Sequence, residues 1–211
     1  MSTLRETGVG RPLDPTGPAN ERADRAPPNG QALSAYLARR RDEQAALYRF
    51  TDRLYRAKSP SDIYDGAFEA IASALGCERA SILLFDDTGV MRFIAWRGLS
   101  DGYRRAVEGH SPWTRDTQDP PPICIADIEE AEIAESLKDT VRAEGIGALA
   151  FIPLVATGEL VGKFMTYYPG PHVFSDAEVN LAVTIARQLG FSVERMRAED
   201  ARCVPNKPVG C

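Results

Sequence analysis

The sequence predicts an α+β fold with a mainly antiparallel sheet and helices packed against it. Two turn sequences, Asp87-Thr88-Gly89 and Thr157-Gly158-Glu159, each separate two apolar segments and therefore predict β-hairpins. Segments whose apolar residues recur at helical spacing precede the first hairpin and follow the second, which predicts helices there. Because the strands are joined as hairpins, we expect neighbouring strands to run antiparallel.

Two helices are predicted before the first strand. The first runs from Ser34, its N-cap, to Ala57, and its leucines share one stripe at heptad-like spacing: Leu33, Leu37, Leu47 and Leu54. Ser59-Pro60 ends this helix and begins the second, because proline is well tolerated in the first helical turn. The second helix is predicted to end at Gly76, since glycine favours helix termination.

The strands and the shorter helices follow in alternation. The first hairpin lies in ERASILLFDD and VMRFIAWRG, and a short helix capped by Ser100 or Asp101 comes next. The prolines of HSPWTRDTQDPPP predict an irregular segment, followed by a short strand in ICIADI and a polar helix in EAEIAESLKDTVRAEG. The second hairpin lies in ALAFIPLVATGELVGKFMTYY.

The last helix begins after Ser175, with Glu178 completing a capping box. Its main apolar stripe alternates spacings of three and four residues: Val179, Ala182, Ala186, Leu189, Val193 and Met196. This spacing predicts a seam against a partner helix, while Leu181 and Ile185 form a second apolar face for the sheet. We therefore expect a parallel homodimer whose first and last helices pair through Leu47, Leu54, Leu189, Val193 and Met196.

Composition limits the number of domains and the function classes. The chain has 211 residues, of which 44% are hydrophobic. This is enough for one domain, expected over residues 31–199 between a disordered segment at 1–30 and a flexible tail at 200–211. The formal net charge of −5 argues against a nucleic-acid-binding protein. Without an apolar membrane span or a signal peptide, the expected location is the cytoplasm.

Catalytic and metal-binding patterns are absent from the sequence. The four cysteines, Cys77, Cys124, Cys203 and Cys211, fit no zinc-binding spacing. The chain has no nucleophile–histidine–acid pattern or phosphate-binding loop, and its two histidines leave little material for acid–base catalysis. We therefore expect neither a metal site nor an enzyme.

The order of these segments resembles the GAF domain, the sensory module of signalling proteins. The resemblance rests on SILLFDDTGVMRFIAWRGLSDGYRRAVEG, on PICIADI, on EGIGALAFIPLVATGELVGKFMTYY and on Phe174-Ser175-Asp176-Ala177-Glu178. It is strongest toward the GAF modules of bacterial histidine kinases and diguanylate cyclases. It implies a GAF/PAS-like sheet of about six strands, with helices on one face, a pocket on the other, and dimers formed by the terminal helices.

The resemblance also implies a small-molecule pocket between the sheet and residues 98–127. The candidate ligand-binding residues are mostly aromatic: Phe93, Trp96, Tyr103, Trp113, Cys124, Asp127 and Phe151. Phe93 and Phe151 could instead simply fill a core. Trp113 is expected to cover a ligand, because it is a large aromatic residue in an otherwise polar segment.

The sequence leaves the ligand and any cofactor unknown. Gly162-Lys163 replaces the Asn-Lys of cyclic-nucleotide-binding relatives. Bilin-binding relatives usually carry a cysteine directly before a histidine, and neither His110 nor His172 follows a cysteine. Three functions remain. The leading hypothesis is a small-molecule sensor that signals through dimer helices, and the second is a dimerisation scaffold whose pocket is filled by its own side chains. The third is a thiol-dependent reductase of free methionine sulfoxide that uses Cys124.

Overall fold

The structure is a computed structural model and describes residues 30–203. In chain order its helices and strands are α1 (Gly30–Arg56), α2 (Pro60–Leu75), β1 (Arg79–Phe85), β2 (Met91–Arg97), α3 (Asp101–Val107), β3 (Ile123–Ile125), α4 (Glu135–Ala143), β4 (Ala148–Ala156), β5 (Glu159–Tyr168) and α5 (Asp176–Cys203). The predicted disordered segment and the end of the predicted tail lie outside the described residues. The fold is α+β, as predicted.

The sheet has five strands in the order β2-β1-β5-β4-β3, and every neighbouring pair is antiparallel. The two predicted hairpins form its β1–β2 and β4–β5 pairs. The expected number of about six strands is not confirmed, because the described residues form five. The longest strand, β5, lies at the centre and is buried over nearly its whole length.

Helices α2 and α5 pack on what we call the helix-covered face of the sheet, and the third long helix, α1, packs on these two helices. Local chemistry sets the ends of α2 as predicted. The Ser59 side chain accepts a hydrogen bond from the Asp62 amide, and the Asp62 carboxylate accepts one from the Ser59 amide. Gly76 ends the helix with a left-handed φ of 62°, which glycine adopts without the steric cost of a Cβ atom.

Helices α3 and α4 and irregular chain pack on the opposite side, here called the loop-covered face. The irregular chain includes residues 108–122, which we call the covering segment, and residues 126–134. Side chains alternate between the two faces along each strand, so Ile82 and Leu84 join the helix-covered cluster while Leu83 and Phe85 join the other. The sheet therefore separates two apolar clusters.

Several predicted helix boundaries differ from the structure. Helix α1 begins at Gly30, so Ser34 lies inside the helix and its hydroxyl donates to the Gly30 carbonyl instead of capping the N-terminus. Helix α4 begins only at Glu135, because the preceding residues 129–134 form turns and bends. Helix α5 extends to Cys203, into the segment assigned to the tail.

The predicted partner-facing seam of α5 lies inside the protomer. Leu189 is completely buried, and Val193 and Met196 belong to the same apolar cluster on the helix-covered face. Leu54 of α1 is also buried in this cluster, and Leu47 packs against it. A second subunit would therefore have to contact other side chains of α1 and α5. No helix among the described residues is long and apolar enough to cross a membrane.

Candidate functional site

The loop-covered face brings together five of the seven residues predicted to bind a ligand. Tyr103 and Trp113 are buried there, and Phe93 and Phe151 pack against the same cluster from β2 and β4. Trp96 lies at its margin. The strands place these residues on one side because Phe93 pairs with Leu83 and Phe151 pairs with Met165, both of which face this cluster.

Trp113 anchors the covering segment to the sheet. Its side chain is only 6% exposed, and its ring meets the ring of Phe151 edge-on at a centroid distance of 6.5 Å. Trp113 is predicted to cover a ligand, and in the structure its ring packs against Phe151. The expected ligand pocket is not confirmed.

The two best-formed hollows of the described residues lie away from the covering segment. One, of about 220 Å³, is between α1 and α2 and is lined by residues such as Phe50, Arg53 and Glu69. The other, of about 10 Å³, is on the helix-covered face beside Cys124 and Tyr168. No residue of the covering segment lines either hollow. On the loop-covered face the protein's own side chains occupy the space expected for a ligand.

A buried tyrosine network crosses the loop-covered cluster. The hydroxyl groups of Ser81 and Tyr167 lie 2.8 Å apart, and the ring of Tyr103 meets that of Tyr167 edge-on at 6.0 Å. Burial raises the pKa of both tyrosines, so both remain protonated and able to donate hydrogen bonds at neutral pH. These hydroxyl groups are fixed polar points in an apolar environment.

Lys163 of β5 is a buried charged residue on this face. Its side chain is 1% exposed, and its Nζ donates a hydrogen bond of 3.0 Å to the carbonyl oxygen of His110 in the covering segment. The same Nζ lies 4.9 Å from the ring centroid of Phe151, within cation–π range. Burial lowers the pKa of Lys163 to about 7, because the charged form loses its hydration.

Trp96 lies at the margin of the cluster and is 40% exposed. The guanidinium of Arg104 stacks over its ring at 3.6 Å and forms an ion pair with Asp101, which is in the same helix. Helix α3 is itself held by α4, because both carboxylate oxygens of Glu144 accept hydrogen bonds from Ser100. Trp96 therefore lies at the edge of the loop-covered face, where the Arg104 side chain covers its ring.

Cys124 and Asp127 are not assembled with the other predicted residues. Cys124 points to the helix-covered face, where it lines the small hollow with Tyr168 and packs against that core. Its neighbours Ile123 and Ile125 point to the loop-covered face, as the alternation of a strand requires. The Asp127 carboxylate accepts a hydrogen bond of 2.9 Å from the Glu129 amide and so stabilises a turn after β3.

The environment of the cysteines disfavours thiolate chemistry. Burial raises the pKa of Cys124 to about 11 and that of Cys77 to about 12. At neutral pH both side chains are thiols, which are poor nucleophiles compared with thiolates. This is an argument against the reductase hypothesis.

Sequence reasoning missed Lys163, Tyr167 and Ser81 as members of this face. A signal was present for Lys163, because it is the one charged residue within the otherwise uncharged stretch LVGKFMTYY. A lysine on a strand that is buried on both sides must lie in a low-dielectric environment. Ser81 and Tyr167 carried no comparable signal, since both residue types are common in strands and cores.

The sequence profile described as GAF domain matches residues 59–193. The chain belongs to the GAF domain family. GAF domains are sensory domains of histidine kinases and related signalling proteins. No curated protein sequence matches this GAF domain.

Solved structures agree with this assignment. A domain from Sinorhizobium meliloti, described as part of a two-component sensor histidine kinase, is 54% identical, with a TM-score of 0.65 over 69% of this chain and 99% of that one. The GAF domain of the cyanobacteriochrome TePixJ is 19% identical, with a TM-score of 0.58 over 69% and 95% of the two chains. The GAF domain of a phosphoenolpyruvate-protein phosphotransferase from Coxiella burnetii is 20% identical, with a TM-score of 0.59 over 76% and 97%. The last two similarities concern the fold alone.

The structure also shows that this GAF domain differs from cyclic-nucleotide-binding relatives at the position of their Asn-Lys pair, which is Gly162-Lys163 here. A Cβ atom at Gly162 would collide with the carbonyl oxygen of Leu83, so an asparagine does not fit at this position without a backbone shift. Glu178 lies on the helix-covered side, where its Oε1 is 3.0 Å from the Tyr168 hydroxyl and 2.8 Å from His172 Nε2. This carboxylate therefore stabilises the entry to α5 and is not part of the loop-covered face.

Proposed function

We propose that this GAF domain binds a small molecule on its loop-covered face and transmits the signal through a dimer formed by α1 and α5. The observation that carries the proposal is the contrast on this face between buried polar groups and the chain that covers them. Lys163, Tyr167 and Ser81 are fixed on the central strands β5 and β1, while the covering segment has no regular secondary structure. A few oriented polar groups in an apolar environment are typical of small-molecule sites.

Few backbone hydrogen bonds tie the covering segment to the rest of the protein; one runs from the Gly109 amide to the Met91 carbonyl oxygen, at 3.2 Å. In the described structure, the backbone hydrogen bonds of residues 111–122 stay within the segment, as in the bond from Thr117 to the Thr114 carbonyl. Segments with few backbone hydrogen bonds to their surroundings open at low free-energy cost. Displacement of Trp113 from Phe151 would create the volume that a ligand needs, so a ligand can select an open conformer of the segment.

A surface for the proposed dimer is present on α1 and α5, although not along the seam expected from the sequence. Tyr48 and Tyr55 of α1 are 78% and 82% exposed, and Phe191 of α5 is 64% exposed. They flank the contact between the two helices, where the Thr51 hydroxyl donates to Gln188 at 3.1 Å. We call these three exposed aromatic residues the helix patch. Exposed aromatic residues grouped in this way are typical of protein–protein contacts.

Ligand binding is tested by a thermal-shift screen of the full chain against a chemically diverse set of metabolites, together with native mass spectrometry of the purified protein. A compound that binds only the folded state raises the unfolding temperature as its concentration rises. The proposal requires such a compound, and its binding must change the fluorescence or the amide exchange of the covering segment. A screen without stabilising compounds, and a purified protein free of bound molecules, would contradict it.

Dimerisation through the helix patch is tested with Phe191→Glu and Tyr55→Glu, measured by light scattering. Each change places a charge in the proposed interface and is expected to shift the protein to monomers. Val173→Glu is the matched control, because Val173 is 87% exposed and lies before α5, outside the patch. A protein that is monomeric from the start, or a dimer unaffected by both patch variants, would refute this part of the proposal.

One observation favours a second function, a scaffold without a ligand. The loop-covered face is closed by its own side chains, with Tyr103 and Trp113 each at most 6% exposed. In that case the dimer would form, while no compound would stabilise the domain or disturb the covering segment. The two experiments above therefore separate the sensor from the scaffold.

A further inference from the structure

Lys163 differs from the other charged groups of the domain in its burial and its partners. Its Nζ can donate three hydrogen bonds, and the one that the structure gives it goes to the carbonyl oxygen of His110. No carboxylate of residues 30–199 lies within ion-pair distance of this ammonium group. Nζ also lies over the face of the Phe151 ring, 4.9 Å from its centroid.

This environment does not compensate a buried positive charge. One neutral carbonyl group and one aromatic face replace little of the hydration that an ammonium ion loses on burial. The lowered pKa, about 7, has the same cause and leaves a substantial fraction of the side chain protonated at neutral pH. An anion placed at Nζ would remove this penalty, and such an interaction gains strength because water is excluded.

We propose that Lys163 is the anchor for a small monocarboxylate ligand, whose carboxylate replaces the His110 carbonyl oxygen as the acceptor at Nζ. This inference rests on the proposed sensor function and names the chemical class of its ligand. A single ammonium group balances one negative charge, so a monocarboxylate fits better than a phosphate dianion. Phe151 lies beside Nζ, and Trp113 and Met165 belong to the same apolar cluster, which matches a short aliphatic or aromatic body.

The exchange of acceptors couples binding to the covering segment. The hydrogen bond from Lys163 to His110 is a direct polar tie between β5 and this segment, and Trp113 supplies an apolar tie three residues further on. A carboxylate that takes over Nζ breaks the polar tie, and its apolar body competes with Trp113 for Phe151. Binding therefore releases residues 110–113 from the sheet, which is the conformational change that a sensor needs.

The test uses acetate, butyrate and benzoate as probes, with butyramide and benzamide as neutral molecules of matched shape. Amide ¹H–¹⁵N chemical shifts of residues 110–113 in the full chain report binding. We expect the carboxylates to cause saturable shifts there, with the affinity rising from acetate to the larger probes as more apolar surface is buried. The neutral amides should bind about tenfold or more weakly, because they lack the charge.

Variants of Lys163 test whether this side chain is the anchor. Lys163→Met and Lys163→Gln should each weaken carboxylate binding by about tenfold or more and abolish the preference for the acid over the amide. Lys58→Met is the matched control, since Lys58 is exposed after α1 and should leave binding unchanged. The acid–amide comparison in the unaltered protein remains decisive even where a variant folds poorly.

Three outcomes overturn the inference: no probe saturates, acids and amides shift residues 110–113 equally, or both Lys163 variants bind the acids as well as the unaltered protein. The proposed sensor function can survive any of these. A neutral compound from the broad screen that stabilises the unaltered protein and Lys163→Met equally would keep the sensor and eliminate the carboxylate anchor. Failure of the probes and of the broad screen together would remove both.

Discussion

The two faces of the sheet are both buried, but by different means. On the helix-covered face, α1, α2 and α5 bury a cluster in which Phe50, Ile71 and Leu189 are almost completely inaccessible. On the loop-covered face, two short helices and irregular chain cover a cluster that surrounds Lys163 and Tyr167. The difference separates two tasks: apolar packing between regular elements stabilises the fold, whereas polar groups under irregular chain can be exposed again without unfolding the domain.

The largest expected effect is on the helix-covered face. Leu189→Ala should lower the free energy of unfolding by about 3 kcal/mol, because Leu189 is completely buried and the three long helices around it cannot collapse into the gap. Urea unfolding monitored by circular dichroism measures this loss. Leu37→Ala is the control, since Leu37 is 57% exposed, and it should cost about 0.5 kcal/mol or less. Equal losses in the free energy of unfolding for the two variants would contradict the view that packing on the helix-covered face stabilises the fold.

Trp113→Ala should cost less than its size suggests. Removal of a buried tryptophan typically costs about 3–5 kcal/mol, but here we expect about 2 kcal/mol, since the covering segment can settle onto the sheet or open. Amide hydrogen exchange of residues 109–117 should accelerate while that of α5 stays unchanged. A loss larger than that of Leu189→Ala would show that the covering segment is part of the main folding unit.

Lys163 makes stability depend on pH in a defined direction. Its pKa is lowered from 10.5 in the unfolded chain to about 7, so between these values the unfolded chain binds a proton that the folded one lacks. The free energy of unfolding therefore rises with pH, by about 1–2 kcal/mol from about pH 7 to about pH 8.5. In Lys163→Met the free energy of unfolding should no longer rise over this pH range. Near pH 7 the variant should be more stable than the unaltered protein, because it does not bury a charge.

The measurement for Lys163 is urea unfolding of both proteins in matched buffers across this pH range. Tyr103 and Tyr167, the tyrosines of the same cluster, have raised pKa values and stay protonated there. Burial raises the pKa of Cys77 to about 12 and that of Cys124 to about 11, so both oppose the trend at higher pH, where the unfolded thiols ionise. Parallel pH profiles for the two proteins would show that Lys163 is not the group responsible.

The smallest expected effect concerns the tyrosine network. Tyr167→Phe removes a hydroxyl group that lies 2.8 Å from the Ser81 hydroxyl, and the unpaired Ser81 should cost about 1 kcal/mol. The double variant Ser81→Ala/Tyr167→Phe should be less destabilised than the sum of the single changes, because both partners are then absent. Additive losses in thermal or urea unfolding would indicate that the two groups do not interact.

Local features of this fold were predictable because a few adjacent residues determine them. Ser59, Pro60 and Asp62 satisfy the amide groups at the start of α2, and Gly76 ends it, whatever the rest of the chain does. The two turns that connect the hairpin strands were recognisable for the same reason. The alternation of three and four residues along α5 was also visible, but it reports only that one side is apolar.

The choice of what covers an apolar side depends on the rest of the fold. The spacing of Leu189, Val193 and Met196 predicts a contact with a partner subunit, yet the protomer's own sheet and α2 bury these residues. The family resemblance predicts Cys124 on the ligand face, but the register of the three-residue strand β3 places its side chain on the helix-covered face. A stripe or a short strand does not specify its neighbour, because many surfaces present the same apolar chemistry.

By itself, the sequence determined the element order, the hairpins, the ends of α2 and the membership in a sensory family, since these follow from local hydrogen bonding, periodicity and turn chemistry. Only the tertiary structure decided which apolar faces of the helices and strands pack together. It also decided that Lys163 is buried with the His110 carbonyl oxygen as its acceptor, and that aromatic side chains fill the space expected for a ligand. The physical reason is that burial is a property of the assembled protein. It depends on residues brought together from distant parts of the chain, and it sets both the cost of a charge and the free energy of packing.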